Sequence, residues 1–231
     1  MNILEKFKKV RAINASTKFN KQLNDGIKNG TIKKFDDEFY SKLEGMYFGG
    51  IPVYYYLRRM NMKKCYDTSA ILALALGKDS KVCRGNLKVQ QIVEETPFFG
   101  HGWVEKDGLV NDTTWQIICP KSDYYKLMGV QKPIAINQEE FFKNNKISDW
   151  TIRNKEYYEK NYVPFHYQLI FQIREIETLV LNSPTQPEED AKNMPNIALT
   201  YSTTEKDKEL ARKVLNDLPD TSNVKMDIKI M

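Results

Sequence analysis

The spacing of apolar residues predicts a buried helix in the first third of the chain. Residues 69–76 are apolar on every face, which indicates a helix buried nearly all round. Gly77 is a natural end for this helix, and Cys65 falls at or just before its N-terminal end. Residues 1–64 are also predicted to be mainly helical, with one apolar stripe over Asp36–Tyr47.

Alternating apolar and polar residues predict strands in the middle of the chain. Lys81–Glu94 is rich enough in Val, Leu and Ile for one or two strands, with a bend or bulge at Arg84-Gly85-Asn86. His101–Lys106 and Leu109–Thr114 flank Asp107-Gly108, the strongest hairpin signal in the sequence.

The C-terminal part predicts further helices and a small appended unit. Asn137–Glu140 resembles a capping box at the start of a short helix. Pro164 suits the first turn of a longer helix. Its expected apolar stripe is Leu169, Ile173, Ile176 and Val180. A helix over Glu205–Leu218 lies between two alternating segments, which predicts a strand–helix–strand unit.

Together these elements predict an α+β fold in which the buried helix packs on an antiparallel sheet. We expect four regions along the chain. They are a helical N-terminal region (1–60), a core with flanking helices (61–182), a proline-rich linker (183–195) and a small C-terminal unit (196–231).

Composition narrows the class of protein. The 231 residues are 41% hydrophobic and 28% charged, as expected for a globular domain of ordinary size. The longest apolar run, Ala70–Leu76, is far shorter than the roughly 20 residues of a membrane span, and no secretory signal is recognised. Three widely spaced cysteines suggest neither a disulfide framework nor a zinc site. We therefore expect a reduced, cytoplasmic protein that needs no cofactor.

The net charge of +5 is unevenly distributed, because residues 1–64 contain 14 Lys and Arg against 6 Asp and Glu. A basic face can attract nucleic acid or an acidic partner. More often it is a solvated helix surface, and no aromatic-basic module for nucleic acids accompanies it. We expect a peptide or protein partner rather than nucleic acid.

The candidate chemistry lies between Cys65 and Trp115. If Asp107-Gly108 is a two-residue turn, alternation places His101 and Asp112 on one face of the hairpin as diagonal neighbours. Asn111 points to the other face. The register therefore selects Asp112 as the partner of His101.

These residue types suit thiol-based acyl transfer. A helix N-terminus favours a thiolate, an imidazole can take and return its proton, and a carboxylate orients the imidazole. We predict Cys65 as nucleophile, with its backbone N–H as an oxyanion donor, His101 as base and Asp112 as orienting acid. Cys83 and Cys119 are expected to be packing residues.

Trp103 shares the predicted face with His101. Two interpretations stay open for it: a residue of the core, or a substrate-binding residue in the wall of the site.

The candidate residues stand in recognisable sequence contexts. They are Cys65-Tyr-Asp-Thr-Ser-Ala-Ile-Leu-Ala-Leu-Ala-Leu, Arg84-Gly85, His101-Gly-Trp-Val-Glu and Asp112-Thr-Thr. This segment of the sequence, about residues 60–118, resembles the transglutaminase-like superfamily of papain-like thiol enzymes. It is similar above all to the bacterial members, which include peptidases and the leader-peptide-processing proteases of lasso-peptide pathways.

The resemblance implies a helix packed on an antiparallel sheet and a triad of Cys65, His101 and Asp112. Two features depart from the family. Lys63-Lys64 precede the cysteine where many relatives place a glycine. The second oxyanion donor is not identified among Tyr54, Tyr55, Tyr56 and Asn61.

The predicted function is thiol-dependent acyl transfer, with hydrolysis of a peptide or glutamine amide preferred and transamidation also possible. Access to the site, rather than the three residues themselves, selects water or an amine as the acceptor. One alternative is a protein-binding module that keeps the fold without using the chemistry. A weaker alternative is a nucleic-acid binder acting through residues 1–64.

Overall fold

The computed structural model describes residues 17–59, 64–88, 100–145, 150–161, 164–185 and 203–222. Its helices are α1 (17–28), α2 (Asp37–Ser41), α3 (Val53–Arg59), α4 (Cys65–Leu76), α5 (Lys121–Met128), α6 (Gln138–Asn144), α7 (Lys155–Lys160), α8 (Pro164–Asn182) and α9 (Glu205–Asp217). Its strands are β1 (Lys33–Lys34), β2 (Tyr47–Phe48), β3 (Ile51–Pro52), β4 (Lys81–Leu87), β5 (Gly100–Lys106), β6 (Leu109–Asp112), β7 (Ile117–Pro120) and β8 (Val130–Asn137). The predicted α+β class is confirmed.

Six strands form one antiparallel sheet in the order β1-β7-β6-β5-β4-β8. The predicted hairpin joins β5 to β6. Asp107 and Gly108 have φ of 51° and 75°, the left-handed conformation that a tight two-residue turn needs. Lys106 pairs with Leu109, as the predicted register requires. The expected irregularity in β4 is a register shift against β8 between Arg84 and Asn86.

Helix α4 packs on one face of this sheet, against β5 and β4. Residues 68–73 are buried without interruption, so the prediction of a helix buried nearly all round is confirmed for this stretch. Gly77 ends the helix with φ 93°. The Ser80 hydroxyl lies 2.8 Å from the Ala73 carbonyl oxygen, to which it donates.

The main core lies on the opposite face of the sheet, which follows from the alternation of side chains along the strands. Its buried members come from the central strands and from α1 and α5. They include Phe19, Trp103, Tyr124 and Met128.

Residues 45–55 and 152–231 form a second compact unit, while the sheet belongs to the unit of residues 1–44 and 56–151. In the second unit β2 pairs with β3, and Tyr47 forms a backbone bridge with Arg153. Helix α9 packs against α8. The Tyr54 hydroxyl donates to a carboxylate oxygen of Asp217 at 2.7 Å.

Two predicted helical stripes are wrong in detail. The helix expected over Asp36–Tyr47 ends at Ser41, because a turn follows in which Gly45 has φ 74°, and Tyr47 belongs to β2. On α8, Ile176 is 53% exposed, whereas the buried face is formed by Tyr167, Ile170, Ile173 and Glu177.

Helix α6 begins after Asn137 as predicted, but the Asn137 side chain only accepts from the Glu139 N–H, and the reciprocal contact of a capping box is not formed. Helices α8 and α9 begin at Pro164 and Glu205, as predicted, and the Thr204 side chain caps α9. Residues 186–195 of the predicted linker and both alternating segments that flank α9 lie outside the described residues. So do residues 1–16. Among the described residues, no helix is long and apolar enough to cross a membrane.

Candidate active site

Cys65 is the first residue of α4 and is buried, with 9% of its surface exposed. No side chain caps the start of this helix. The Thr68 hydroxyl is instead a donor to the Lys64 carbonyl oxygen at 2.9 Å. The backbone N–H groups at the N-terminus of this helix, next to Cys65, are therefore not bonded to a capping side chain.

Two contacts fix the start of α4 against the sheet. The hydroxyls of Thr68 and Thr113 are 2.7 Å apart, which ties the first turn of the helix to the residue after β6. In β5, a Cβ atom placed on Gly102 would lie 3.0 Å from the Cys65 carbonyl oxygen and 3.2 Å from the Tyr66 Cα. Glycine thus allows strand and helix backbones to approach closely beside His101.

His101 and Asp112 form a buried pair. The imidazole Nε2 lies 2.8 Å from Asp112 Oδ2, and neither residue is exposed. The expected contact between these residues is confirmed. It depends on the hairpin register, because a shift by one residue would bring Asn111 to this face of the sheet in place of Asp112.

Asp112 is fully saturated with hydrogen bonds. Besides His101, its Oδ2 accepts a bond of 2.6 Å from the Tyr124 hydroxyl. Its Oδ1 accepts from the backbone N–H groups of Thr114 at 2.9 Å and Trp115 at 3.1 Å. Four donors therefore hold the carboxylate in one orientation.

These contacts shift both pKa values strongly. Burial alone would lower the pKa of His101, but the Asp112 charge and hydrogen bond, together with the nearby Cys65, raise it from 6.5 to about 10. Burial would raise the pKa of Asp112, but His101, Tyr124 and the Trp115 N–H lower it. At neutral pH the pair is therefore an imidazolium and a carboxylate.

The second imidazole nitrogen of His101, Nδ1, is buried and has no hydrogen-bond partner of normal length among the described residues. The Cys65 side chain is close enough to contribute to the raised pKa of the imidazole. One nitrogen of the imidazole is thus bonded to Asp112, the other has no partner among the described residues, and Cys65 lies close enough to influence the ring.

Trp103 is buried in the main core with no exposed surface, and its indole N–H donates to Glu105 at 3.2 Å. Of the two interpretations of Trp103, its burial supports core packing. Glu105 is buried, and it also accepts from Lys121 at 2.7 Å and from Tyr125 at 2.6 Å.

The other two cysteines are buried in strands, as predicted for packing residues. Burial raises the pKa of Cys83 well above its ordinary value, and burial followed by the charges of Asp123 and Asp112 raises that of Cys119 to about 12. Neither thiol ionises readily near neutral pH.

Two of the four candidates for a second oxyanion donor are engaged in the second unit. Tyr54 donates to Asp217, and the Tyr55 hydroxyl lies 3.2 Å from a carboxylate oxygen of Glu177. Asn61 falls outside the described residues. Among those that are described, no three His, Cys, Asp or Glu residues are grouped so as to hold a metal ion.

The residue that sequence reasoning missed is Tyr124. It lies in α5, a helix that was not predicted, and is fully buried against Asp112. Tyr124 and Met128 are four residues apart and form the buried side of that helix, a spacing that could have indicated it. The contact between Tyr124 and Asp112 could not be predicted from the spacing of residues along the chain.

Comparison of the chain with family models, with curated proteins and with solved structures finds no match.

Proposed function

We propose that the protein is a cysteine-dependent acyl-transfer enzyme of transglutaminase-like, papain-like architecture, which preferentially hydrolyses a peptide or glutamine amide. The observation that supports this most is the buried His101–Asp112 pair. The second ring nitrogen of His101, Nδ1, has no hydrogen-bond partner among the described residues, and Cys65, the first residue of a buried helix, is close enough to the imidazole to raise its pKa. A purely structural histidine would be expected to have both ring nitrogens bonded.

The residues suggest a two-step reaction. The Cys65 thiol passes its proton to His101 and the sulfur attacks the carbonyl carbon of an amide, and the resulting oxyanion is stabilised by the Cys65 backbone N–H. His101 gives a proton to the leaving nitrogen, so that the C–N bond breaks and a thioester remains. Water then attacks the thioester while His101 accepts its proton, and the C–S bond breaks to release the acid.

The electrostatics favour the first step. Because the pKa of His101 is raised to about 10, the imidazole carries a proton and a positive charge at neutral pH. The thiolate is the reactive form of a cysteine, and a neighbouring imidazolium is the group that can give a proton to the leaving nitrogen. Asp112 stabilises the imidazolium and fixes its orientation.

An amine in place of water would make the same thioester a transamidation intermediate. A nucleophilic thiol also works only while it is reduced, which is the reason for proposing a cytoplasmic setting. The competing proposal is a binding module in which the three residues have no chemical role. It predicts that Cys65 reacts with alkylating reagents as slowly as an ordinary buried cysteine.

The first test is alkylation by iodoacetamide between pH 6 and 8, followed by peptide mapping. We expect Cys65 to react at least about ten times faster than Cys83 and Cys119, which serve as internal controls. His101→Gln should remove most of this difference, and circular dichroism should show that the variant remains folded. Equally slow labelling of all three cysteines would refute the enzyme proposal.

The second test measures turnover without a known substrate. A synthetic peptide mixture is incubated with the protein in water and in hydroxylamine, and mass spectrometry detects acids, cleaved peptides or hydroxamates. We expect products that depend on Cys65, are absent with Cys65→Ala and become hydroxamates when hydroxylamine is present. Products that persist with Cys65→Ala would exclude Cys65 as the nucleophile.

A further inference from the structure

A cleft of about 380 Å³ lies beside α4. This volume is within the range of small-ligand sites, roughly 300–1,000 Å³. Val82 and Ile136, paired neighbours in β4 and β8, form an apolar floor. Tyr66 from α4 and Phe141 from α6 add aromatic surface to the lining. The cleft therefore suits the aliphatic part of a ligand.

Helix geometry places this cleft next to Cys65. Ser69 lines the cleft and follows Cys65 by four residues, so the two lie on the same face of α4. Four residues span about 6 Å of helix axis. Tyr66, the residue next to Cys65, also lines the cleft. A peptide whose carbonyl carbon is at the Cys65 sulfur can thus place a neighbouring side chain here.

One polar group in the lining of the cleft, the Ser69 hydroxyl, is a buried hydrogen-bond donor without a partner among the described residues. A buried polar group left unbonded is costly, which points to a ligand that completes it.

Arg84 is the cation of the cleft. Its side chain is exposed, and none of the ion pairs among the described residues involves it. It stands where the register between β4 and β8 shifts, and such irregularities redirect side chains at functional sites. An exposed guanidinium above an apolar floor matches a carboxylate carried on an aliphatic stem.

We propose that this cleft binds an acidic segment of the peptide substrate, with the stem on Val82 and Ile136, the carboxylate at Arg84 and a peptide or carboxylate oxygen at the Ser69 hydroxyl. The role of that segment as acyl donor rests on the proposed function, whereas its binding does not require the thiol. A glutamate side chain and a C-terminal carboxylate offer the same chemistry, and the test separates them.

The test measures binding to the Cys65→Ala protein, in which turnover is blocked. Three dansylated pentapeptides of alanine and glycine are compared by fluorescence anisotropy. One carries a central glutamate and an amidated terminus, one a central glutamine and an amidated terminus, and one a central glutamine and a free terminal carboxylate. We expect at least one carboxylate peptide to bind about five-fold more tightly than the neutral peptide, as for one solvent-accessible ion pair.

Variants at Arg84 test whether this residue causes the preference for carboxylate peptides. Arg84→Ala should abolish it, and Arg84→Glu should reverse it in favour of a peptide with a central lysine. Lys126→Ala removes another exposed cation, one in α5 that does not line the cleft, and should leave the preference intact. A preference that survives Arg84→Ala, or equal binding of all three peptides, would overturn the proposal.

Variants at Ser69 test the buried side of the cleft. Ser69→Ala removes a hydroxyl without a partner, so the free protein should be no less stable while peptide affinity falls about two- to five-fold. Ser69→Leu should fill the cleft and abolish binding of every peptide. Unchanged binding in Ser69→Leu would contradict the assignment.

The two proposals can fail separately. Selective binding that depends on Arg84, without Cys65-dependent products from the wild-type protein, would support the cleft and refute the catalytic proposal. Cys65-dependent products without any preference for acidic peptides would do the reverse.

Discussion

At the scale of single residues, Asp112 is the side chain of the candidate site that is held by the most hydrogen bonds. Its two oxygens accept four hydrogen bonds, two from side chains and two from backbone N–H groups. Each donor favours the ionised form, so the carboxylate stays charged although it is fully buried. The charge and hydrogen bond of Asp112 are in turn the largest contributions that raise the pKa of His101.

We predict that Asp112→Asn returns the pKa of His101 towards its ordinary value of about 6.5, because the imidazolium loses its buried counter-ion. Titration of the imidazole ring by nuclear magnetic resonance measures this directly. Asp67→Asn removes an exposed carboxylate from the first turn of α4 and should leave the pKa of His101 unchanged. A His101 pKa that stays near 10 in Asp112→Asn would show that the pair does not control it.

Tyr124 is a positioning residue, because it is fully buried and acts through Asp112. Tyr124→Phe should cost roughly 1.5–3 kcal/mol of unfolding free energy, the usual contribution of a hydrogen bond to a charged group. It should also slow alkylation of Cys65 by about three- to ten-fold, equivalent to roughly 0.7–1.4 kcal/mol. Urea unfolding and the pH profile of alkylation measure the two effects.

Tyr125 provides a matched control for this substitution. It lies next to Tyr124 in α5, but its hydroxyl donates to Glu105. Tyr125→Phe should lower stability without changing alkylation of Cys65. If both variants slow the alkylation equally, the effect of Tyr124 is merely structural.

The residue-level predictions from sequence succeeded where a local rule connected the residues. The Asp107-Gly108 turn fixes the hairpin register, and the register distinguishes Asp112 from Asn111. The contact between Tyr124 and Asp112 could not be predicted in this way, because it depends on how α5 packs against the sheet.

At the scale of elements, the close packing of α4 on β5 holds the candidate site together. Gly102→Ala would place a methyl group 3.0 Å from the Cys65 carbonyl oxygen, and a backbone atom cannot swing aside. We predict a loss of about 1–3 kcal/mol of stability and slower alkylation of Cys65, because strand and helix must separate. Urea unfolding and iodoacetamide labelling report these changes.

Gly77→Ala is the control at the other end of the same helix. Gly77 has φ 93° and no atom within 4 Å of its Cβ position, so alanine there strains the backbone without pushing on a neighbour. Stability should fall while Cys65 labelling stays fast. Slow labelling in both variants would mean that global stability, rather than the strand–helix contact, governs the thiol.

Element boundaries were predictable where a cap or turn residue acts within a few positions. Gly77 ends α4, and Asn137 starts α6. The buried face of α8 was predicted incorrectly, with Ile176 inside, because the apolar residues of that helix spread over more than one face. Which face is buried depends on its packing partners rather than on its own pattern.

At the scale of the whole molecule, the raised pKa of His101 links stability to pH. A group whose pKa rises on folding stabilises the protein fully below its unfolded value, here 6.5, and loses that contribution as pH rises through about 10. The free energy of unfolding should therefore fall between pH 7 and 10, by at most about 1.4 kcal/mol per pH unit from this group. His101→Gln should lack this component.

Urea unfolding of wild type and His101→Gln across this pH range gives the component as a difference, which removes the titration of lysine and tyrosine residues. Parallel curves would contradict the assigned shift. The lowered pKa of Asp112 has the opposite sign, since its stabilisation is present above about 3.8 and is lost as acid protonates the folded carboxylate.

No pattern along the chain indicates that residues 45–55 group with 152–231. That grouping depends on contacts between distant positions, such as the Tyr47–Arg153 bridge and the hydrogen bond from Tyr54 to Asp217. Local sequence rules act over a few residues and do not carry this information.

The interleaved order of the two units has a consequence for dissecting the protein. No single cut in the chain separates them, since residues 45–55 are flanked on both sides by the unit that contains the sheet. A fragment that stops at residue 151 would retain Tyr47 and Tyr54 but lose Arg153 and Asp217, and so would expose orphaned aromatic surface. To isolate either unit, residues 45–55 must therefore be removed from the chain or the segments must be joined in a new order, because truncation alone is not enough.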